Sequence, residues 1–204
     1  MNNKIFIDLM NTTPLIDLLT SSLVTLLGAF VSWYLRYKYG EYKQNKMNRE
    51  VSQSKLIQTI LEQQLNEYGC QRAFILQRHN GGKYGTGKSM NKLSTTFEAL
   101  EEGVSTEFKE YQNLPTSLYT GLIEKAMKNQ GVFPIVENIE DLLVKAFFVQ
   151  RGSKSAIVYP IKQDKEMVGI VGFEWTHVIK DMESLLKNIK EDGEVIGETL
   201  SKLL

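Results

Sequence analysis

The chain has 204 residues, 24 basic and 24 acidic, for a formal net charge of zero. Its basic residues gather beside one short segment and form no further tract, so no nucleic-acid partner is implied. A single cysteine, Cys70, excludes a disulfide framework, and two histidines, His79 and His177, give no cluster at metal-ligand spacing.

Residues 1–17 form a short N-terminal tail. From Leu18 to Leu35 the chain reads LLTSSLVTLLGAFVSWYL, without a charge. At about 1.5 Å per residue this run covers roughly 27 Å as a helix, close to a hydrocarbon core of roughly 30 Å. A transmembrane helix over 18–39 is therefore expected. Trp33 and Tyr34 lie at its C-terminal end, where amphipathic rings sit at headgroup level, and Arg36, Lys38 and Lys43 follow. The opposite side carries only Lys4, Asp8 and Asp17. By the positive-inside rule the N-terminus lies outside and the C-terminal part in the cytoplasm. Bulky WYLRYKY follows the apolar run where a cleaved signal needs a small-x-small site. The competing interpretation is a buried helix of a soluble protein. Ser21, Thr25 and Ala29 recur at four-residue spacing, as do Gly28 and Ser32. Small residues so spaced let helix backbones approach, which points to a homo-oligomer.

A stalk helix is expected over 40–68, ended by Gly69. Val51, Leu56, Ile57, Ile60, Leu61 and Leu65 recur at helical spacing there, with polar residues between. Gly40 marks a possible break. Residues 69–204 are long enough for one domain with its own core. Within it 72–77 reads as a strand, 79–90 as a loop with four glycines, and 92–99 as a second strand. Pro115 with Thr116 or Ser117 opens a helix that Gly131 stops. Val132 to Val136 is a short strand, and Asn138 is the expected N-cap of a helix through Gln150, ended by Gly152. SAIVYPI (155–161) and MVGIVGFEW (167–175) form a hairpin around the polar turn 162–166. A last helix is expected over 181–203. The class is α+β: an antiparallel sheet flanked by helices, of GAF or PAS-like kind.

GKYGTGKS, Gly82 to Ser89, fits the spacing of a P-loop, in which Lys88 would reach terminal phosphates and Ser89 a magnesium ion. A P-loop needs a strand running into its first glycine and a helix opening at its end. Here polar Arg78 to Asn80 intervene and KLSTTFE leans to strand, so an NTPase stays a minor alternative. His79, Asn80, Gly81, Gly82, Lys88, Ser89, Lys92, Ser94 and Glu98 are the candidate ligand-binding residues. Cations beside glycine turns suit a small anionic ligand. No catalytic or metal-ligating residue is assigned, and no cofactor is named.

RAFILQRHNGG, the following Gly-rich loop, GKSMNKLSTTFE and EGVS together resemble small membrane-anchored GAF-like proteins of tailed bacteriophages. The resemblance covers about residues 55–204 and rests on His79 to Gly82, Ser89, Met90, Lys92 to Ser94, Glu98 and Gly103 to Ser105. It implies a GAF-like fold and a phage or bacterial origin; with the span and its basic flank, the expected location is the host inner membrane. More loosely, one N-terminal span followed by an α+β domain is similar to the lysis holins of T-even phages. That holin type places its domain in the periplasm, whereas the basic flank here predicts the cytoplasm. Two functions follow from these features. One is a single-pass protein presenting a non-catalytic sensory or protein-interaction domain at the lipid bilayer. The other is a holin-like protein that forms membrane lesions.

Overall fold

The computed structural model describes residues 3–128, 131–181, 184–185, 189 and 197–203, with side chains from residue 19 onward. The chain divides into two compact units, residues 1–52 and 53–204.

The first unit is helical throughout its described residues. It belongs to α1 (Asn3–Tyr68), which passes Gly40 without a break. The break expected there is absent, because a single glycine costs a helix only about 1 kcal/mol and both flanks are helix-compatible. The large apolar side chains from Leu19 to Leu35 are exposed. Among the described residues no helix is long and apolar enough to cross a membrane. Leu18, the first residue of the uncharged run, has no described side chain.

The second unit is built on an antiparallel six-stranded sheet in the order β3-β2-β1-β6-β5-β4. Its strands are β1 (Arg72–Lys83), β2 (Ser89–Leu100), β3 (Leu114–Pro115), β4 (Val132–Phe133), β5 (Ser155–Gln163) and β6 (Glu166–Trp175). Between β3 and β4 runs α2 (Thr120–Met127), and between β4 and β5 runs α3 (Leu142–Gln150). The α+β class stands.

Alternation along the strands divides the core in two. Ile75, Val171, Phe173 and Trp175 point to one face, where Ile57, Leu61, Leu65 and Tyr68 of α1 cover them. Tyr68 meets Phe173 edge-on at 5.1 Å, and the Trp175 indole N–H donates to the Tyr68 carbonyl at 3.3 Å. Gly69 at φ +58° then turns the chain from helix into β1, a conformation that side chains resist. On the other face Phe74, Leu76, Leu93, Val158 and Ile170 pack under Leu122, Ala126, Val144, Phe147 and Phe148 of α2 and α3.

Several boundaries differ from expectation. The loop placed at 79–90 is a hairpin arm: β1 continues to Lys83 and β2 begins at Ser89, leaving only Tyr84 to Lys88 as the turn. Asn138 does not cap α3. It ends a short 3-10 turn, and Asp141 takes the role by accepting from the N–H groups of Leu143 and Val144 at 3.0 and 3.1 Å. The helix expected from Pro115 opens as a 3-10 turn over Thr116–Leu118 before α2 begins, and α2 closes at Met127, short of Gly131. The strand expected over Val132 to Val136 keeps only its first two residues. The last helix lies largely outside the described residues, although 184–185, 189 and 197–203 are helical and Ile189 and Leu200 are buried.

Candidate functional site

A cleft of about 540 Å³ opens at the β1–β2 tip. Each wall follows from local sequence. In β1, Arg78 stands two residues beyond Leu76 and four beyond Phe74, so strand parity carries it onto the α2–α3 face after the apolar residues end. Ser89 and Asn91 supply the facing positions of β2, and Tyr84 closes the tip. The opposite wall is the 3-10 turn and α2. Thr116 fastens that turn to the sheet by donating to the Asn91 carbonyl at 3.1 Å. Along α2, Leu122 and Ala126 are buried, while Thr120, Ile123 and Met127 share the adjoining stripe and overlook the cleft. Glu166 and Met167 of β6 complete it.

The chemistry of this lining is divided. One guanidinium, one amide and the hydroxyls of Ser89, Thr116, Ser117 and Thr120 offer hydrogen bonds, whereas Ile123, Met127 and Met167 offer an apolar, adaptable surface. Arg78 favours an anionic group, and Glu166 disfavours one at its own end.

The predicted site residues do not converge. Ser89 lines the cleft. His79 and Ser94 instead pair with each other, Nε2 to Oγ at 2.8 Å, and the Asn113 N–H donates to the same hydroxyl, so both are taken up in fastening β2 to the segment before β3. Asn80 accepts from the Gly82 N–H at 3.0 Å, a local turn bond. Gly81 gives room to the Lys92 stem: a Cβ there would lie 2.6 Å from Lys92 Cδ. Lys88 is an exposed turn residue. Glu98 sits at the far end of the ladder, and of the predicted residues only Ser89 lines this cleft among the described residues. Gly82 to Ser89 forms a hairpin turn with strand on both sides, which removes the helix a P-loop requires.

Glu98 belongs to a buried ionic network that no local pattern announces. Glu174 accepts from Arg72 Nη1 at 2.7 Å, Arg151 Nε at 2.7 Å and Ser153 Oγ at 2.8 Å. Glu98 lies 3.1 Å from Arg72 Nε and accepts from Thr106 at 2.6 Å. The Arg151 guanidinium carbon lies 4.5, 4.6 and 5.1 Å from the ring centroids of Phe74, Tyr111 and Phe147, a cation–π cage that compensates its two unbonded terminal nitrogens. These contacts clamp the end of α3 and the loop after β2 onto the sheet. Cys70 is buried, and burial pushes its thiol up to about 12, which removes it as a thiolate nucleophile. Among the described residues no group of His, Cys, Asp and Glu is placed to hold a metal ion.

No protein-family profile matches the chain, and comparison with curated proteins gave no match. Solved structures do resemble it. One is the GAF domain region of a putative membrane protein from Geobacter sulfurreducens PCA, at 16% identity, TM-score 0.55, covering 78% of this chain and 97% of that one. A second is the blue-light absorbing form of the PixJ GAF domain from Thermosynechococcus elongatus, at 10% identity, TM-score 0.56 and coverages of 76% and 88%. A third is a type II free methionine-R-sulfoxide reductase from Thermoplasma acidophilum, at 14% identity, TM-score 0.53 and coverages of 76% and 94%. The second unit therefore has a GAF-like fold. At these identities the likeness speaks for fold and not for activity.

Proposed function

We propose that the chain is a membrane-anchored receptor-like protein whose GAF-like domain binds a small anionic ligand in the cleft between β1, β2 and α2, without catalysis of its own. The observation that carries this is the divided lining, with Arg78 and the hydroxyls on one side and Ile123, Met127 and Met167 on the other. Such a lining holds a ligand with one charged and one apolar end. The reductase among its structural neighbours keeps enzymatic chemistry in view, but the only thiol here is buried and protonated at neutral pH.

The membrane part of the proposal rests on the first unit taken by itself. Large apolar side chains recur from Leu19 to Leu35, between the hydroxyl residues of the same run, and stand exposed without a cover among the described residues of the first unit. Its hydroxyls suit hydrocarbon: Ser22 donates to the Leu19 carbonyl at 3.0 Å and Thr25 to the Ser21 carbonyl at 2.8 Å. Trp33 stacks on Tyr37 at 5.9 Å at the edge where Arg36, Lys38 and Lys43 begin, as an interfacial belt does. This supports residues 18–39 as the anchor, 40–68 as the stalk and a cytoplasmic domain on a bacterial inner membrane, phage-encoded as the sequence resemblance suggests.

A holin-like lesion former is the second reading, supported by the exposed small-residue face Ser21, Thr25, Gly28, Ala29 and Ser32. Expression in bacteria separates the two. The receptor reading expects cells that keep their membrane potential, protein that resists alkaline carbonate extraction, and a domain cleaved by protease only after the inner membrane is opened. Collapse of the potential would favour the holin, and extraction by carbonate would defeat both. Native mass spectrometry of the full chain tests the ligand: a bound small molecule, lost in Arg78→Ala, is expected, and wild type found only at the mass of its own polypeptide, or an adduct equally present in Arg78→Ala, would refute the cleft.

A further inference from the structure

The β1–β2 ladder is charged with opposite sign at its two ends. Residues 78–92 hold Arg78, Lys83, Lys88 and Lys92 and no acid. The loop after β2 holds Glu101, Glu102, Glu107 and Glu110 against Lys109 alone. Lys83, Lys88, Glu101, Glu102 and Glu110 are exposed, and among the described residues none of them makes an ion pair. Each end also shows an aromatic ring, Tyr84 at the tip and Phe108 in the acidic loop, both more than two-fifths exposed. The register runs from Lys83↔Ser89 at the tip to Arg72↔Leu100 at the base. At about 3.3 Å per residue Lys83 at the tip and Glu101 at the base are roughly 35 Å apart, too far to satisfy each other within one chain, whereas Glu107 and Glu110 lie nearer because the loop returns along β2 to set Tyr111 beside Thr95.

We infer that these two patches are a self-complementary interface, and that the partner is a second copy of this chain turned end for end. A two-fold arrangement sets each basic tip on the other copy's acidic loop and closes, since residue i meets residue j and j meets i. An anionic bilayer or a nucleic acid would match the basic tip alone and leave the acidic end of the ladder unmatched. A partner bearing both signs at the same separation matches both ends, and the chain's zero net charge fits such pairing. This goes beyond the ligand reading: Arg78 and Tyr84 line the cleft, and the interface is tested at Lys83 and Lys88, which do not.

Zero-length carbodiimide cross-linking of the full chain, prepared as a mixture of unlabelled and nitrogen-15 protein in lipid nanodiscs, tests the interface. The expected products are mixed-isotope peptides joining Lys83 or Lys88 to Glu101 or Glu102, falling at least tenfold when salt rises from about 0.05 to about 0.5 M, as the Debye length shortens. Lys83→Glu with Lys88→Glu should abolish them, as should Glu101→Lys with Glu102→Lys. All four changes in one chain should restore them with the acids and bases exchanged. Helix-driven association alone would not obey this swap. Single-isotope products only, failure of the four-fold variant to recover, or tip reversal that instead removes binding to phosphatidylglycerol vesicles or to DNA would each overturn the inference.

Discussion

Replacing Glu174 by Gln removes one charge from the buried network and keeps its shape. In the native domain two guanidiniums, Arg72 and Arg151, face two carboxylates, Glu174 and Glu98. Glu174 carries the shorter share: three donors converge on its oxygens at 2.7 to 2.8 Å, while Arg151 Nη2 is 3.8 Å from Glu98. The amide leaves two buried cations with a single counter-charge and turns an N–H₂ group toward one of them. Removing one partner of a buried ion pair costs about 3–5 kcal/mol. For a domain of this size, at about 2–4 °C per kcal/mol, the melting temperature should fall by about 6–20 °C. Trp175, the next residue and itself buried, reports the transition by fluorescence. Chemical unfolding of wild type and Glu174→Gln in the same detergent, followed at Trp175 in a Trp33→Phe background, checks the value. A loss below about 1 kcal/mol, the range of a typical surface pair, would refute the clamp as the device that holds α3 to the sheet.

Other outcomes follow from burial and capping. Burial pushes the Cys70 thiol from 9.0 to about 12 and the Tyr111 hydroxyl from 10.0 to about 12, the latter against the opposing pull of Arg151. Both groups stay protonated in the folded state while the unfolded chain releases their protons. Their contribution is therefore complete below pH 9 and is lost as the pH rises through about 12, so unfolding midpoints should fall steeply between pH 9 and 12. Cys70 should also resist maleimide in native protein and react on denaturation, and fast native labelling would contradict its burial. Asp141→Ala removes the two N-cap bonds of α3 and should cost about 1 kcal/mol, with Asp141→Asn recovering most of it in thermal melts.

Much of the fold could be read from pattern. The apolar runs of β5 and β6 and the polar residues between them specify a hairpin, and Asp164 and Lys165 adopt the positive φ values, 50° and 71°, that a two-residue turn requires. Gly69 and Gly152 end their helices at φ +58° and +73°. The glycines of the β1–β2 arm misled for a physical reason. Gly81 and Gly82 look like loop residues, yet both lie in β1, whose pairing with β2 continues to Lys83, and the Lys92 stem lies in the space a side chain at Gly81 would take. Asn138 was the expected cap of α3, but the 3-10 turn takes it up and Asp141 caps the helix instead.

The site was less legible because its parts are distant in sequence. Arg78 joins Thr116, Thr120 and Met127 only once β3 pairs with β2 and the 3-10 turn is fastened to Asn91. The available signal was parity: a cation at the next inward position after Phe74 and Leu76 marks where the core ends and an opening begins. The ionic network carried no such signal, since Arg72 and Glu174 are 102 residues apart and each reads singly as a surface charge.

The central claim, that the cleft receives a ligand with a charged and an apolar end, is tested most directly by methionine-methyl NMR of the full chain in nanodiscs. Met127 and Met167 line the cleft, and Met47 in the first unit serves as the reference. Titration with a panel of carboxylate- and phosphate-bearing amphiphiles should move the Met127 and Met167 signals together, leave Met47 still, and saturate. Arg78→Ala should weaken that binding by about tenfold or more, the loss of one charge-assisted hydrogen bond. Signals that stay fixed across the panel, or shifts that are equal in Arg78→Ala, would contradict it.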